Sequence, residues 1–136
     1  MTLRLFWRGA FVLLFALVTW LTLTPNPEET KPSLAIARFI AEILFHDERF
    51  SDKVAHFLAY AALGGSAVFA GLTLGGRRLF VIAALALYGA SLEFLQGVGG
   101  VRAAEFGDAV ANALGAVFAF PAALALERLA AKSAAS

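Results

Sequence analysis

Residues 51–65 read SDKVAHFLAYAALGG, and the apolar run they open continues to Leu74. Asp52, Lys53 and His56 stand at its mouth. A soluble core helix is seldom so long and so uniformly apolar, and a membrane helix keeps ionisable side chains out of its interior. The stretch therefore reads as a membrane span whose first turn carries chemistry. What lies opposite that turn decides its meaning.

Composition makes lipid the natural solvent. The chain has 136 residues, 60% of them hydrophobic and 15% charged, and a mean hydropathy of +0.78. Soluble domains carry roughly 45–50% apolar and about 25% charged residues. So short a chain cannot hide the excess in a core, because too much of its surface faces outward. The lipid bilayer is the expected partner. A formal net charge of +1 leaves nucleic acid without an electrostatic footprint, so no nucleic-acid partner is expected. With no cysteine in the chain, disulfides, thiolate metal sites and cysteine nucleophiles are excluded.

The rest of the chain resolves into matching segments. Arg4 and Arg8 frame GAFVLLFALVTWLTLT, and no A-x-A-like cleavage site precedes Pro25. Residues 5–24 therefore read as an uncleaved anchor helix, with Arg8 snorkelling toward the interface. Residues 54–74, 79–97 and 106–126 each approach the ~20 residues that a spanning helix needs. Pro25 and Pro27, the Gly75-Gly76-Arg77-Arg78 turn, and Gly97, Gly99 and Gly100 punctuate the intervals. In the first interval, SLAIARFIAEILFH (33–46) is apolar except for Arg38, Glu42 and His46. Their i, i+4, i+8 spacing makes one polar stripe, which predicts a short helix on the membrane surface or packed onto the other helices. The expected architecture is a single all-α membrane domain. It has four transmembrane helices plus a short amphipathic surface helix in the first extramembrane loop.

Basic residues give the orientation. Arg4, Arg8, Arg77, Arg78, Arg128 and Lys132 fall on one side, in short flanks. The other side holds five basic residues in a longer loop with most of the acids. The positive-inside rule then predicts a multi-pass protein of the inner or plasma membrane with both termini in the cytoplasm.

Connectivity alone collects the polar residues into one layer. Asp52, Lys53 and His56 open the second span, Glu93 and Gln96 close the third, and Asp108 and Asn112 open the fourth. Arg102 and Glu105 sit in the loop between the last two. All lie on one side of the membrane. Asp52 with His56, Glu93 with Gln96, and Asp108 with Asn112 each share a helix face. At ~1.5 Å per residue, Glu93 and Asn112 lie roughly 6–9 Å inside the helix ends, at the headgroup boundary. The three faces can converge on one pocket.

Each residue also has a plain structural role available. Asp52 suits an N-cap, and Asp108 gains from the helix dipole. Asn112 and Gln96 suit interhelical hydrogen bonds, and His56 a packed ring. Glu93 resists such a reading, because a carboxylate near a helix C-terminus inside a span opposes the dipole and needs a cation. Lys53, His56 and Arg102 are the cations available.

Chemically, basic residues beside an apolar groove suit a phosphate or carboxylate headgroup whose tail lies between helices. His56 beside Asp52 suits a general base, and His56, Glu93 and Asp108 are the catalytic candidates. No serine or cysteine nucleophile occupies the layer, since Ser91 stands two positions from Glu93 and faces elsewhere. His56, Glu93, Asp108 and Glu105 are donor types that suit zinc or manganese. No HExxH-type motif accompanies them, so neither a metal nor a cofactor is expected. The cytoplasmic halves of the spans lack polar residues, which disfavours transport through the monomer.

Three motifs in order, Asp52-Lys53-x-x-His56-Phe57-x-x-Tyr60, Glu93-x-x-Gln96 and Arg102-x-x-Glu105-x-x-Asp108-x-x-x-Asn112-x-x-Gly115, resemble the VanZ-like membrane protein family. The resemblance covers roughly residues 50–120. It departs mildly at Glu105, where aspartate or another residue is frequent in the family. It implies a small multi-spanning membrane protein, and a ligand site built from Asp52, Lys53, His56, Tyr60, Glu93, Gln96, Arg102, Glu105, Asp108 and Asn112. The family's namesake accompanies glycopeptide-resistance genes and is associated with reduced sensitivity to teicoplanin, a lipid-tailed glycopeptide. Three functions stay open: binding of an amphiphile or lipid-linked headgroup, an enzyme acting on lipid or cell-envelope headgroups, and a structural or assembly subunit of a membrane complex.

Overall fold

The computed structural model describes residues 3–24, 35–46, 50–100 and 105–133. They form five helices: α1 (Leu3–Leu23), α2 (Ala35–Phe45), α3 (Ser51–Phe69), α4 (Arg78–Gly99) and α5 (Phe106–Ser133). Among the described residues, α1, α4 and α5 are long and apolar enough to cross a membrane. The span expected over residues 54–74 forms a shorter helix than its sequence suggests, because α3 ends at Phe69. Gly75 and Gly76 at φ +56° and +75° are the centre of a two-residue turn. The Leu74 N–H donates to the Arg77 carbonyl at 3.2 Å, and the Arg77 N–H to the Leu74 carbonyl at 3.0 Å. Positive φ at both central positions is type I′ geometry, which needs residues without a Cβ penalty and lets α4 begin at Arg78. At the other end α5 continues beyond residue 126 to Ser133.

The short helix expected in the first interval exists as α2. Its polar stripe stops at Glu42, because His46 leaves the helix at φ +54° and donates its N–H to the Glu42 carbonyl at 2.9 Å. Ala37 and Ala41 bury against Val54 of α3. Ile36, Phe39, Ile43 and Leu44 stay exposed. The small face of α2 thus meets protein, and the large apolar face points outward.

Side-chain contacts fix the helix directions. Trp7 stacks 4.8 Å from Phe69 and Arg8 Nε donates to the Ala70 carbonyl at 3.4 Å, so α1 and α3 are antiparallel. Thr19 and Tyr88 share a 2.6 Å hydrogen bond, which puts α4 parallel to α1. Arg78 and Glu127 pair at 2.7 Å, which sets α5 against α4. The chain therefore reverses at each successive long helix.

Small residues build the face of α5 that meets α3, while Tyr60, Leu63, Ile82 and Leu85 fill the core beside it. Ala111, Gly115, Ala119 and Ala123 recur every fourth position of α5 and are all buried. A Cβ on Gly115 would stand 2.2 Å from the Phe57 carbonyl oxygen, so α3 and α5 touch backbone to backbone there. Leu87, Phe94, Leu114, Phe118 and Leu126 remain exposed. A contact face of small residues flanked by large exposed ones is how helices associate in lipid, where burying a leucine gains nothing over leaving it among acyl chains.

Candidate functional site

The end of the bundle where α3 and α5 begin and α4 finishes carries the polar layer. Phe50 rather than Asp52 is the N-cap of α3, and it makes no side-chain cap. Asp52 lies in the first turn, one turn ahead of His56. The parallel run of α3 beside α5, held by the Gly115 contact, sets Lys53 over Asp108 and His56 over Asn112. Antiparallel α4 then presents Glu93 to both.

The pairs connect. Lys53 Nζ donates to Glu105 Oε2 at 2.7 Å and to Asp108 Oδ1 at 3.2 Å. His56 Nδ1 lies 3.0 Å from Asn112 Oδ1 and 3.6 Å from Glu93 Oε1. Asn112 Nδ2 donates to Glu93 Oε1 at 3.4 Å. His56 Nε2, on the far edge of the ring, faces Asp108 Oδ2 at 3.9 Å. Asp108 and Asn112 are each 1% exposed and Glu93 4%, so charge here sits in the protein interior. Lys53 lies just ahead of the apolar run. Its hydrogen bond to Glu105 raises its ammonium above the ordinary range, against the opposing effect of partial burial, with Asp108 adding to the rise.

Two residues of the expected site are used differently. Gln96 is buried, and its side chain donates to the Thr22 carbonyl of α1. It ties α1 to α4 instead of joining the His56 cluster. Tyr60 is buried with its ring against Gly89, and among the described residues its hydroxyl has no hydrogen-bond partner. Arg102 lies outside the described residues. Ser91 donates to the Leu87 carbonyl from an exposed face, away from the layer. Sequence reading missed Thr22 as a partner, because a backbone carbonyl leaves no trace in residue type.

A family match covers the helices that carry this layer. The VanZ/LLP1 model matches residues 10–127. The chain belongs to the VanZ/LLP1 family. No curated protein and no solved structure matches it. The VanZ/LLP1 match extends well ahead of residue 50, so α2 and most of α1 belong to the family domain although they carry no motif. Gln96 holding α1 in place is the structural counterpart of that reach. A VanZ-like membrane protein is thus what the apolar helices and the family match together establish.

As chemistry, the layer is acid-rich. Asp52, Glu93, Glu105 and Asp108 gather around Lys53 and His56. Such a set can hold a cation, orient an imidazole, or exchange a rim carboxylate for an incoming anion.

Proposed function

We propose that this VanZ/LLP1 protein receives the polar headgroup of an amphiphile or lipid-linked molecule at the His56–Glu93–Asp108–Asn112 layer, with the tail along the apolar flank. One observation carries the reading: three deeply buried polar side chains lie beneath a solvent-reachable ion pair at the end of an apolar bundle. Lys53 and Glu105 are 35% and 48% exposed. Exposed pairs contribute only about 0–1 kcal/mol, so an anionic headgroup exchanges with Glu105 at small cost. Helix association supports the same reading. The small-residue stripe of α5 already supplies the backbone contact with α3, so helix packing alone does not call for buried carboxylates at Glu93 and Asp108.

In this reading α3 is a fourth span, since it starts beside the start of α5 at Lys53–Asp108 and ends beside the start of α1 at Phe69–Trp7. Arg8, Arg78 and the Arg4 side chain beside Gly71 share the end opposite the layer. That clustering supports cytoplasmic termini in the plasma membrane and a layer that opens outward. A link to teicoplanin-type resistance or envelope homeostasis follows if the headgroup belongs to an envelope amphiphile. The test is retention of phosphatidylglycerol against phosphatidylcholine by the purified protein in detergent. Lys53→Ala and Arg102→Ala are expected to lower phosphatidylglycerol retention severalfold. Unchanged retention in both variants overturns the reading.

A further inference from the structure

The hydrogen-bond partners around His56 assign a tautomer to its neutral ring. Asn112 stands between His56 and Glu93, with its Nδ2 directed at Glu93 Oε1 at 3.4 Å. The opposite amide setting would oppose oxygen to carboxylate. Asn112 Oδ1 is then the acceptor at 3.0 Å from His56 Nδ1, so Nδ1 bears the hydrogen. A neutral imidazole has one N–H, which leaves the Nε2 lone pair on the opposite edge. That edge faces Asp108 Oδ2 at 3.9 Å. One donor atom from each of Asp52, His56 and Asp108 lies within 4.8 Å of the others.

We propose that Asp52, His56 Nε2 and Asp108 hold a divalent transition ion, zinc or manganese. A separation of 3.9 Å is too long for a hydrogen bond. Two ligand atoms bound to one ion at ~2.0–2.2 Å and a tetrahedral angle stand roughly 3.4 Å apart, so a side-chain adjustment of about half an ångström seats the ion between them. One imidazole with two carboxylates is a donor set that both ions accept. Ligating histidines donate their second N–H to an outer partner that orients the ring, and the Asn112–Glu93 pair supplies that contact. The two Asp108 oxygens divide the work: Oδ1 takes Lys53 at 3.2 Å and Oδ2 faces the histidine.

This set differs from the donors that sequence ranks first. Glu93 lies on the Nδ1 edge of the ring, where Asn112 engages it. Glu105 is held by Lys53. Asp52, half-buried in the first turn of α3, takes their place. Three protein ligands leave coordination positions for water or for a headgroup oxygen. The site shares His56 and Asp108 with the headgroup layer, and ion binding without lipid is expected whether or not a headgroup binds there.

The experiment uses the full chain in detergent, stripped with chelator and titrated with zinc or manganese alone, without added lipid. One ion per chain is expected. His56→Ala is expected to abolish binding, and Asn112→Ala to weaken it ~10–100-fold. Glu127→Gln, at the other end of the bundle, leaves it unchanged. Because Asp108→Asn alters a buried group and can unfold the protein, Asp52→Asn is the second ligand variant. Spin-echo spectroscopy of the manganese-loaded wild type needs no variant and is expected to show imidazole nitrogen coupling. Substoichiometric binding in the wild type overturns the proposal. So does unchanged affinity in both His56→Ala and Asp52→Asn, or manganese without nitrogen coupling.

Discussion

His56 on α3 and Asn112 on α5 meet side chain to side chain at 3.0 Å, and Asn112 passes the connection on to Glu93 of α4. Three helices are therefore joined through one buried amide. Replacing it by leucine removes the acceptor of the His56 N–H and a donor to Glu93 at once. Each loss leaves a buried polar group that costs about 1–3 kcal/mol. Gln96→Leu removes one interhelical bond, to the Thr22 carbonyl, and such bonds average about 0.6 kcal/mol in membranes. Reversible unfolding in mixed micelles is expected to rank Asn112→Leu well above Gln96→Leu. Equal losses would show that the amide does not join the three helices.

Gly115 offers a sharper contrast with a glycine of the neighbouring helix. A Cβ at Gly115 meets the Phe57 carbonyl oxygen at 2.2 Å, whereas one at Gly65 has nothing within 4 Å. Backbone cannot step aside as a flexible side chain can. Gly115→Ala is thus expected to cost about 1–3 kcal/mol, the usual range for overpacking, and to displace His56 from Asn112. Gly65→Ala is neutral or stabilising by roughly 0.5–1 kcal/mol, because alanine favours the helix. Thermal unfolding of the two variants side by side reads the difference.

Much of the site was legible because connectivity fixes ends. Spans that alternate in direction must bring Asp52, Glu93 and Asp108 to one side, whatever the packing, and residue spacing sets which face each uses. The structure joins His56, Glu93, Asp108, Asn112, Lys53 and Glu105 accordingly. Gln96 takes the interhelical role that its residue type also allowed, with a partner that sequence could not name. It shares a helix face with Glu93, but its partner is a main-chain carbonyl of α1, and nothing in residue type reveals where α1 lies. The extent of α3 was misread because Leu72 and Leu74 look like span residues. Their backbone follows the Gly71 and Gly75-Gly76 reversals instead.

Topology is directly testable, since the chain has no native cysteine and any thiol label reports an introduced position. Glu42, on the exposed side of α2, and Ser133, at the end of α5, are both solvent-facing. They stand at opposite ends of the bundle. With cytoplasmic termini, Glu42→Cys is labelled in intact cells by an impermeant maleimide, and Ser133→Cys only after lysis. The reverse pattern would invert the orientation and turn the polar layer toward the cytoplasm. Labelling of both positions in intact cells would mean that an odd number of helices crosses, and that α3 is not a span.

Two ion pairs at opposite ends of the bundle should respond unequally to losing their cation. Arg78 and Glu127 pair at 2.7 Å with 31% and 32% of their side chains exposed. Water and lipid headgroups can solvate either partner once the other is gone. Arg78→Met is therefore expected to cost about 0–1 kcal/mol. Lys53 also reaches Asp108, whose side chain is 2% exposed. Lys53→Met takes a charge-assisted hydrogen bond from a carboxylate that solvent cannot reach, a loss of about 1.5–3 kcal/mol. Part of that loss reflects the buried charge left behind, so adding Asp108→Asn to Lys53→Met should recover part of it. The same second substitution made alone should destabilise. Unfolding of the two single variants and the double variant in detergent measures this. If Lys53→Met costs no more than Arg78→Met, Asp108 does not depend on Lys53 for its charge compensation.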